Sequence, residues 1–440
     1  MKGIVVAAPA SGSGKTLVTL GLLRHFRRAG APVVSAKVGP DYIDPAFHAA
    51  ASGRPCRNLD GWAMRAETLA ATLDALTGEG DWVICEGVMG LFDGARVATG
   101  DDDGSTADIA GRTGWPVVLV VDAGAQAASA AAVVRGFASH DTATHIAGVI
   151  FNRVGSASHA AILQDAMAQS LPEIPVLGCL PRGADLQLPS RHLGLVQALE
   201  HPDLESFLNG AAAMVADHID TDALAALTQE GTFKESADAS PPLPVLGQRI
   251  AVAQDTAFAF AYDHVLDGWR RAGAEVNFFS PLADQAPEED ADAVYLPGGY
   301  PELHAGTLAG NASFLQGLRD AASRGARVFG ECGGYMVLGS VLTDADGESH
   351  AMAGLLPLAT SFAERKLHLG YRRVQLVQAS PLGVAGAMLR GHEFHYASIV
   401  TEKGAMPLFH AEDAAGTALG SAGLSEGTVA GSFIHLIDTE

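Results

Sequence analysis

Ile4-Val5-Val6-Ala7-Ala8-Pro9-Ala10-Ser11-Gly12-Ser13-Gly14-Lys15-Thr16 decides how the first half of this chain is read. The apolar, β-branched start predicts a strand over Ile4–Ala8, and Lys15 to Ala29 predicts a helix that Gly30 ends. A glycine-rich turn that meets a helix start at Lys-Thr points several backbone N–H groups at one spot. That spot lies at the positive end of the helix dipole and suits a phosphate. Gly12, Ser13 and Gly14 would cradle the group, Lys15 would reach the β/γ-phosphates of a nucleotide, and the Thr16 hydroxyl would face Mg²⁺. The strict motif has glycine five residues before Gly14, where this chain has Pro9, so the loop is a variant.

Outward from the loop, apolar runs recur at Pro32–Lys37, Trp82–Cys85, Val117–Val121, Ile146–Phe151 and Val176–Leu180, with room for helices between most of them. Unalternated strands separated by helices predict a doubly wound parallel sheet covered on both faces. Ligands then bind at the C-terminal strand ends. Acids cluster there: Asp41 and Asp44 in Gly39-Pro40-Asp41-Tyr42-Ile43-Asp44-Pro45, and Glu86 and Asp93 in Glu86-Gly87-Val88-Met89-Gly90-Leu91-Phe92-Asp93-Gly94. Asp122 closes another strand and competes with Glu86 as a metal ligand. Four carboxylates facing a phosphate loop repel one another, which implies Mg²⁺. Asn152 ends the strand Ile146–Phe151, where a side chain with both a donor and an acceptor can read adenine.

The pattern fails from Thr228 to Pro244, a polar stretch ending in prolines. The chain therefore divides into residues 1–227, a linker at 228–246 and a second α/β domain at 247–440. In that domain Arg327-Val328-Phe329-Gly330-Glu331-Cys332-Gly333-Gly334-Tyr335-Met336 reads as a strand that turns sharply into a helix at Cys332. Such an elbow exposes the sulfur, and a helix N-terminus lowers its pKa. Ala293-Val294-Tyr295-Leu296-Pro297-Gly298-Gly299 ends a neighbouring strand. Backbone N–H groups of Gly298, Gly299 and Gly333 are the candidate oxyanion hole. His435, after an apolar run near residue 440, is the candidate base.

Composition narrows the function. The chain has 440 residues, enough for two to four domains, and 48% are hydrophobic, which excludes global disorder. Lys plus Arg is 28 and Asp plus Glu is 50, a net charge of −22, which argues against nucleic-acid or anionic-membrane partners. Cys56, Cys85, Cys179 and Cys332 form no CxxC pair, so neither a zinc site nor a disulfide framework is expected. The apolar start is short and runs into Gly-Lys-Thr rather than a cleavage site, so the protein is read as cytoplasmic.

Phe329-Gly330-Glu331-Cys332-Gly333-Gly334-Tyr335, with Leu296-Pro297-Gly298-Gly299-Tyr300 before it and His435 after it, resembles the class I glutamine amidotransferases, more narrowly the cobyric-acid-synthase type. That resemblance implies a flavodoxin-like fold. The usual triad has Pro-Glu after its His, but Leu436 and Ile437 stand here, leaving a Cys–His pair with Asp438 as a weak third member. The first half is similar to dethiobiotin synthetase. Ala10 takes the place of the extra lysine of the Min/Par ATPases, which disfavours a non-catalytic switch protein. Together with Gly391-His392-Glu393-Phe394-His395-Tyr396, these motifs resemble the cobyrinic or hydrogenobyrinic acid a,c-diamide synthases over nearly the whole chain.

The resemblance implies ATP-dependent phosphorylation of a peripheral acetate, glutamine hydrolysis at Cys332 through a thioester, and amide formation by the released ammonia at both acetates. It makes Lys15 and Thr16 the holders of ATP and Mg²⁺, Asp41 and Glu86 further metal ligands, and Asp44 and Asp93 groups near the acyl phosphate. A relative acting on nickel-sirohydrochlorin is the alternative. Arg365, Lys366, Arg372, Arg373 and Arg390, near His368, are candidates to face the substrate's carboxylates. The expected partners are small molecules (the corrin acid, ATP and glutamine), and a homodimer is compatible with the sequence.

Overall fold

The computed structural model describes residues 1–97, 102–182, 186, 190–191, 194–195, 197–232 and 240–440. They form two compact units. One holds the described residues of Met1–Trp62, Leu69–Gly94 and Asp102–Ala237; the other holds those of Ala63–Thr68, Ala95–Asp101 and Asp238–Glu440.

In the first unit the chain alternates β1 (Lys2–Ala7), α1 (Lys15–Arg28), β2 (Val33–Val38), α2 (Asp44–Ser52), β3 (Cys56–Leu59), α3 (Ala66–Glu79), β4 (Trp82–Glu86), α4 (Thr106–Thr113), β5 (Val117–Asp122), α5 (Ser129–His140), β6 (Ile146–Val154), α6 (Ala157–Ser170) and β7 (Val176–Pro181). Most of α3 belongs to this unit. The strands pair in parallel in the order β3-β2-β4-β1-β5-β6-β7. Every residue of β2 is buried, as a sheet covered on both faces requires. The strand order reverses beside β1, so the phosphate loop sits at the switch point between β4 and β5.

Two features of this unit differ from the sequence expectation. β3 is absent from it because Cys56-Arg57-Asn58-Leu59 carries two polar residues, yet all four are buried. Asn58 Nδ2 donates to the carbonyls of Gly39 and Asp41, both at 2.8 Å, and Arg57 pairs with Glu79 at 2.6 Å. The expected linker also begins as structure. Gln229–Glu230 pairs antiparallel with Gly3 and Lys2, on the side where β5 does not start its register until Val5. The rest of that polar stretch includes residues 233–239, which lie outside the described residues.

In the second unit five parallel strands stand in the order Glu275–Phe279, Arg249–Ala253, Ala293–Leu296, Arg327–Glu331 and Val429–Ser432. Asp263–Arg271 and Ala312–Ser323 are among the helices of this half. The sheet continues as an antiparallel extension through Ala418–Glu426, Met406–Asp413, His368–Leu376, Met388–His395 and Ile434–Thr439. From Val341 onward the elements are all strands, including a separate four-stranded sheet. The simple α/β alternation expected for this half therefore ends at Leu338. The core gathers Leu296, Phe314, Leu318, Val328 and Met336 around the start of the short helix Gly333–Leu338.

Candidate functional sites

Gly14 caps α1 at φ 99°, a left-handed conformation that suits glycine. A Cβ there would also lie 2.1 Å from Asn152 Nδ2. Asn152 is buried; its Nδ2 donates to Ser13 O at 2.9 Å, and its Oδ1 accepts the Arg153 N–H at 2.8 Å. The Asn152 amide thus braces the phosphate loop. Arg153 reaches Gly12 O and pairs with Asp122. Asp122 is thus drawn to Arg153, whereas Glu86 joins Thr16.

Glu86 ends β4, in register with Lys37 of β2 and Val6 of β1. It is fully buried and fully engaged. Oε1 accepts from Thr16 Oγ1 at 2.7 Å and from Lys37 Nζ at 3.0 Å, and Oε2 lies 2.7 Å from His48 Nε2. Lys37 also donates to Asp44 Oδ2 at 2.6 Å. Burial opposes the charge on Lys37, but Asp44 and Glu86 outweigh it and raise its pKa. Burial alone would raise Glu86; Lys37, His48 and Thr16 instead hold it well below the carboxylate range. Burial also opposes charge on His48, yet Cys56 and Glu86 lift it to about 10. Burial and Asp41 push Asp44 up to about 6 against the pull of Lys37.

Lys37 and His48 revise the charge argument drawn from the sequence, because they neutralise Glu86 and Asp44 from within the protein. The sequence reading missed both. Lys37 looked like a strand end, although a lysine inside Val33-Val34-Ser35-Ala36-Lys37-Val38 was a signal, since a buried lysine requires a carboxylate. Asp41 Oδ1 accepts the N–H groups of Ile43 and Asp44 at 2.8 and 3.0 Å, which starts α2. Asp93 is exposed and accepts the Gly90 N–H at 2.8 Å, folding its loop toward Pro9. Lys15 is buried, donates to Met89 O, and has its pKa lowered by burial. Thr16 Oγ1 and Glu86 Oε1, 2.7 Å apart, are hard oxygen donors spaced closely enough to share one octahedral Mg²⁺.

In the second unit Cys332 sits between the strand Arg327–Glu331 and the helix Gly333–Leu338 at φ 47° and ψ −104°. For a side chain with a Cβ, such a conformation costs about 1–3 kcal/mol, and strain of this kind clusters at functional sites. Its N–H donates to Ser432 O at 2.8 Å, which ties the elbow to the neighbouring strand. The sulfur is not exposed as expected, because Cys332 is only 2% accessible. Nor is its pKa lowered: burial, with Glu302, Glu331 and Glu393 nearby, pushes the thiol up.

His435 is fully buried, and burial, with His392 and His395 close by, lowers it to about 3. It is therefore a neutral imidazole at neutral pH, the form a general base needs. A Cβ on Gly298 would fall 2.2 Å from His435 Cε1, so this glycine makes room for the ring. Gly298 O accepts from Phe260 N–H at 2.9 Å, and a Cβ on Gly333 would fall 3.0 Å from Gly299 N. The three glycines of the candidate oxyanion hole thus adjoin the elbow and the base. Asp438 is not the third member of a triad: it is fully buried and bound to Arg65 through N–H and Nε at 2.8 and 2.9 Å.

The basic cluster is largely spent internally. Arg372 pairs with Glu393, while Arg373 and Arg390 both pair with Glu440, each at 2.7 Å. Arg365 and Lys366 are exposed.

Residues 4–196 match the CobQ/CobB/MinD/ParA nucleotide-binding domain, and residues 249–440 match the CobB/CobQ-like glutamine amidotransferase domain. The hydrogenobyrinate a,c-diamide synthase of Brucella anthropi is 55% identical over 100% of this chain and 99% of its own length. The proteins of that name from Rhizobium meliloti and Rhodobacter capsulatus are 56% and 52% identical, covering 100% and 99% of this chain and 99% and 98% of theirs. The chain belongs to the hydrogenobyrinate a,c-diamide synthase family. It is accordingly a glutamine-hydrolysing carbon–nitrogen ligase with an ATP-using P-loop half, and it serves cobalamin biosynthesis. Among the described residues no helix is long and apolar enough to cross a membrane.

Proposed function

We propose that this member of the family amidates the a- and c-acetates of metal-free hydrogenobyrinic acid, the substrate in its relatives' names. A carboxylate oxygen attacks the γ-phosphorus of ATP, giving an acyl phosphate and ADP. Glutamine is hydrolysed at Cys332, and the ammonia released displaces phosphate from the acyl carbon to leave an amide. The chain has one Gly-Lys-Thr loop, so the two acetates take turns at one site and a mono-amide lies between them.

Gly12, Ser13, Gly14 and Lys15 hold the nucleotide phosphates in this reading. Thr16, Asp41 and Glu86 hold Mg²⁺, which supplies positive charge at the phosphate oxygens. The observation that carries the reading is the buried Thr16–Glu86–Lys37–Asp44 network behind the phosphate loop. It keeps charged groups fixed and dry where phosphoryl transfer depends on positioning and electrostatics. Asp44, at the end of this network, and Asp93, on the loop beside it, orient ammonia through hydrogen bonds. Cytoplasmic residence and small-molecule partners, with neither nucleic acid nor membrane, belong to the same proposal.

The test is glutamine-dependent ADP formation by the whole chain, with metal-free hydrogenobyrinic acid, its cobalt form and nickel-sirohydrochlorin as separate acceptors. The expected result is turnover with the metal-free ring and a mono-amide preceding the diamide. Turnover confined to either metallated ring overturns the substrate assignment.

A further inference from the structure

Glu331 is the last residue of the strand that delivers Cys332 to its elbow, and it is 1% exposed. Its carboxylate reaches sideways. Oε1 accepts the Leu436 N–H at 3.0 Å, and Oε2 accepts the Tyr295 hydroxyl at 2.7 Å. Oε2 also stands 4.0 Å from Nδ1 of the buried His435. The acid is thus held by a strand on one side, through Tyr295, and by the backbone directly after His435 on the other. We propose that Glu331 is the positioning acid of the glutaminase site, completing a Cys332–His435–Glu331 relay in which the carboxylate comes from the residue preceding the nucleophile.

This assignment rests on the glutaminase reading of Cys332 and His435. It supplies the group that the sequence lacks after His435 and that Asp438, bound to Arg65, cannot supply. A distance of 4.0 Å is an ion-pair distance, and hydrogen bonds at such sites often tighten only when substrate binds. With Nδ1 turned to Glu331, Nε2 is the atom left to take the thiol proton. The Cys332 sulfur then attacks the glutamine amide carbon, the C–S bond forms, and the imidazolium returns the proton to nitrogen as the C–N bond breaks and ammonia leaves. Water hydrolyses the thioester to glutamate and free thiol. Glu331 transfers no proton in these steps; it fixes the tautomer and stabilises the imidazolium, as the acid of a Ser-His-Asp triad does.

Burial raises Glu331 to about 8, so the carboxylate form that stabilises the imidazolium gains population as the pH rises toward 9. The other ionisable groups acting on His435 are His392, His395 and Glu393 of the strand Met388–His395.

Glutamate release by the whole enzyme, measured from pH 5 to 9, tests the assignment with Glu331→Gln, Glu331→Asp and Cys332→Ala. In Glu331→Gln the new side-chain oxygen can still accept the Leu436 N–H, and the new amide can donate to the Tyr295 oxygen, so the elbow keeps its shape. The expected result for Glu331→Gln is a kcat lower by ~10²–10⁴-fold with the glutamine KM little changed. The loss in Glu331→Gln should grow as pH rises from 6 to 9, where wild-type Glu331 gains its charge, and Glu331→Asp should recover part of the loss. Rates are divided by the ammonia-dependent synthesis rate of the same sample to correct for lost folded protein. A normalised Glu331→Gln kcat and pH profile equal to wild type would overturn the positioning role. Glutaminase surviving in Cys332→Ala would instead sink the underlying reading.

Discussion

Lys37→Met retains the length and apolar stem of the side chain but removes the ammonium that bridges Asp44 and Glu86. The three side chains are 4%, 11% and 0% exposed, so water cannot replace the lost partner. Removing one member of a buried ion pair costs about 3–5 kcal/mol, because the remaining charge is uncompensated. At ~2–4 °C per kcal/mol for a unit of this size, the melting temperature of the first unit should fall by roughly 6–20 °C. Tryptophan fluorescence is a suitable probe, since Trp62, Trp82 and Trp115 lie in that unit and only Trp269 lies in the other. The pH dependence follows from the direction of the shifts. Asp44 already sits at about 6 with Lys37 beside it, and without Lys37 it rises further. A carboxyl raised in the folded state binds protons there that the unfolded chain does not bind, so acidification stabilises the variant relative to wild type. The deficit should therefore shrink from pH 8 to pH 5.5, and Asp44→Asn added to Lys37→Met should restore part of the stability. A Lys37→Met protein within ~1 kcal/mol of wild type at pH 8, or a deficit that grows on acidification, would refute the reasoning.

Gly298→Ala keeps the backbone N–H of the candidate oxyanion hole but sets a methyl 2.2 Å from the His435 ring. Displacing a base by about 1 Å costs ~10²-fold, so glutamine-dependent synthesis should fall by that amount while synthesis from ammonium persists; equal rates with both nitrogen sources would refute this. Asn152→Ala should raise the KM for ATP by loosening Ser13, yet leave the preference for ATP over GTP unchanged in competition assays; a lost preference would support the base-reading role instead. Ammonium-supported synthesis should decline as pH falls through about 6, where Asp44 takes a proton and its pair with Lys37 loses charge. A decline at the same pH in Asp44→Asn would assign the titration elsewhere.

The phosphate loop, the acidic loops and the cysteine elbow were legible because each is a short run whose chemistry depends on order along the chain. Thr16 could be nominated from the Gly-Lys-Thr helix start and Glu86 from a strand end, though only the register of β1 with β4 brings them together. What the sequence hid were partners fixed by the third dimension. Lys37 and His48 gain their roles from strand pairing and from one turn of α2, and nothing in their local spacing points to Glu86. Glu331 was quoted as part of the elbow but not read as an acid with a task, because it acts across the sheet on Leu436 and His435. The thiol's exposure was misjudged for a related reason: an elbow exposes its residue only when neighbouring loops leave the top of the sheet open, and here Glu302, Glu393 and Phe433 belong to the surroundings. Most of the strands after Val341 escaped notice because they lie in an antiparallel extension or a separate small sheet, where weak alternation resembles loop composition.

The pairing of Gln229–Glu230 with the first residues of β1 has a consequence for how the protein is made. β1 is the centre of the first sheet and is made before the rest of that sheet, but the strand that covers its Lys2–Gly3 end emerges more than two hundred residues later. At synthesis rates of ~5–20 residues per second, roughly 10–45 s separate the two. During that interval the nascent chain can assemble β1 with β4 and β5 while the edge of Lys2 and Gly3 that faces away from β4 stays unpaired and open to chaperones or to another strand. Gln229 and Glu230, with the Gly231 N–H that donates to Met1 O, thus act as a latch that closes the nucleotide-binding unit just before the amidotransferase half is translated.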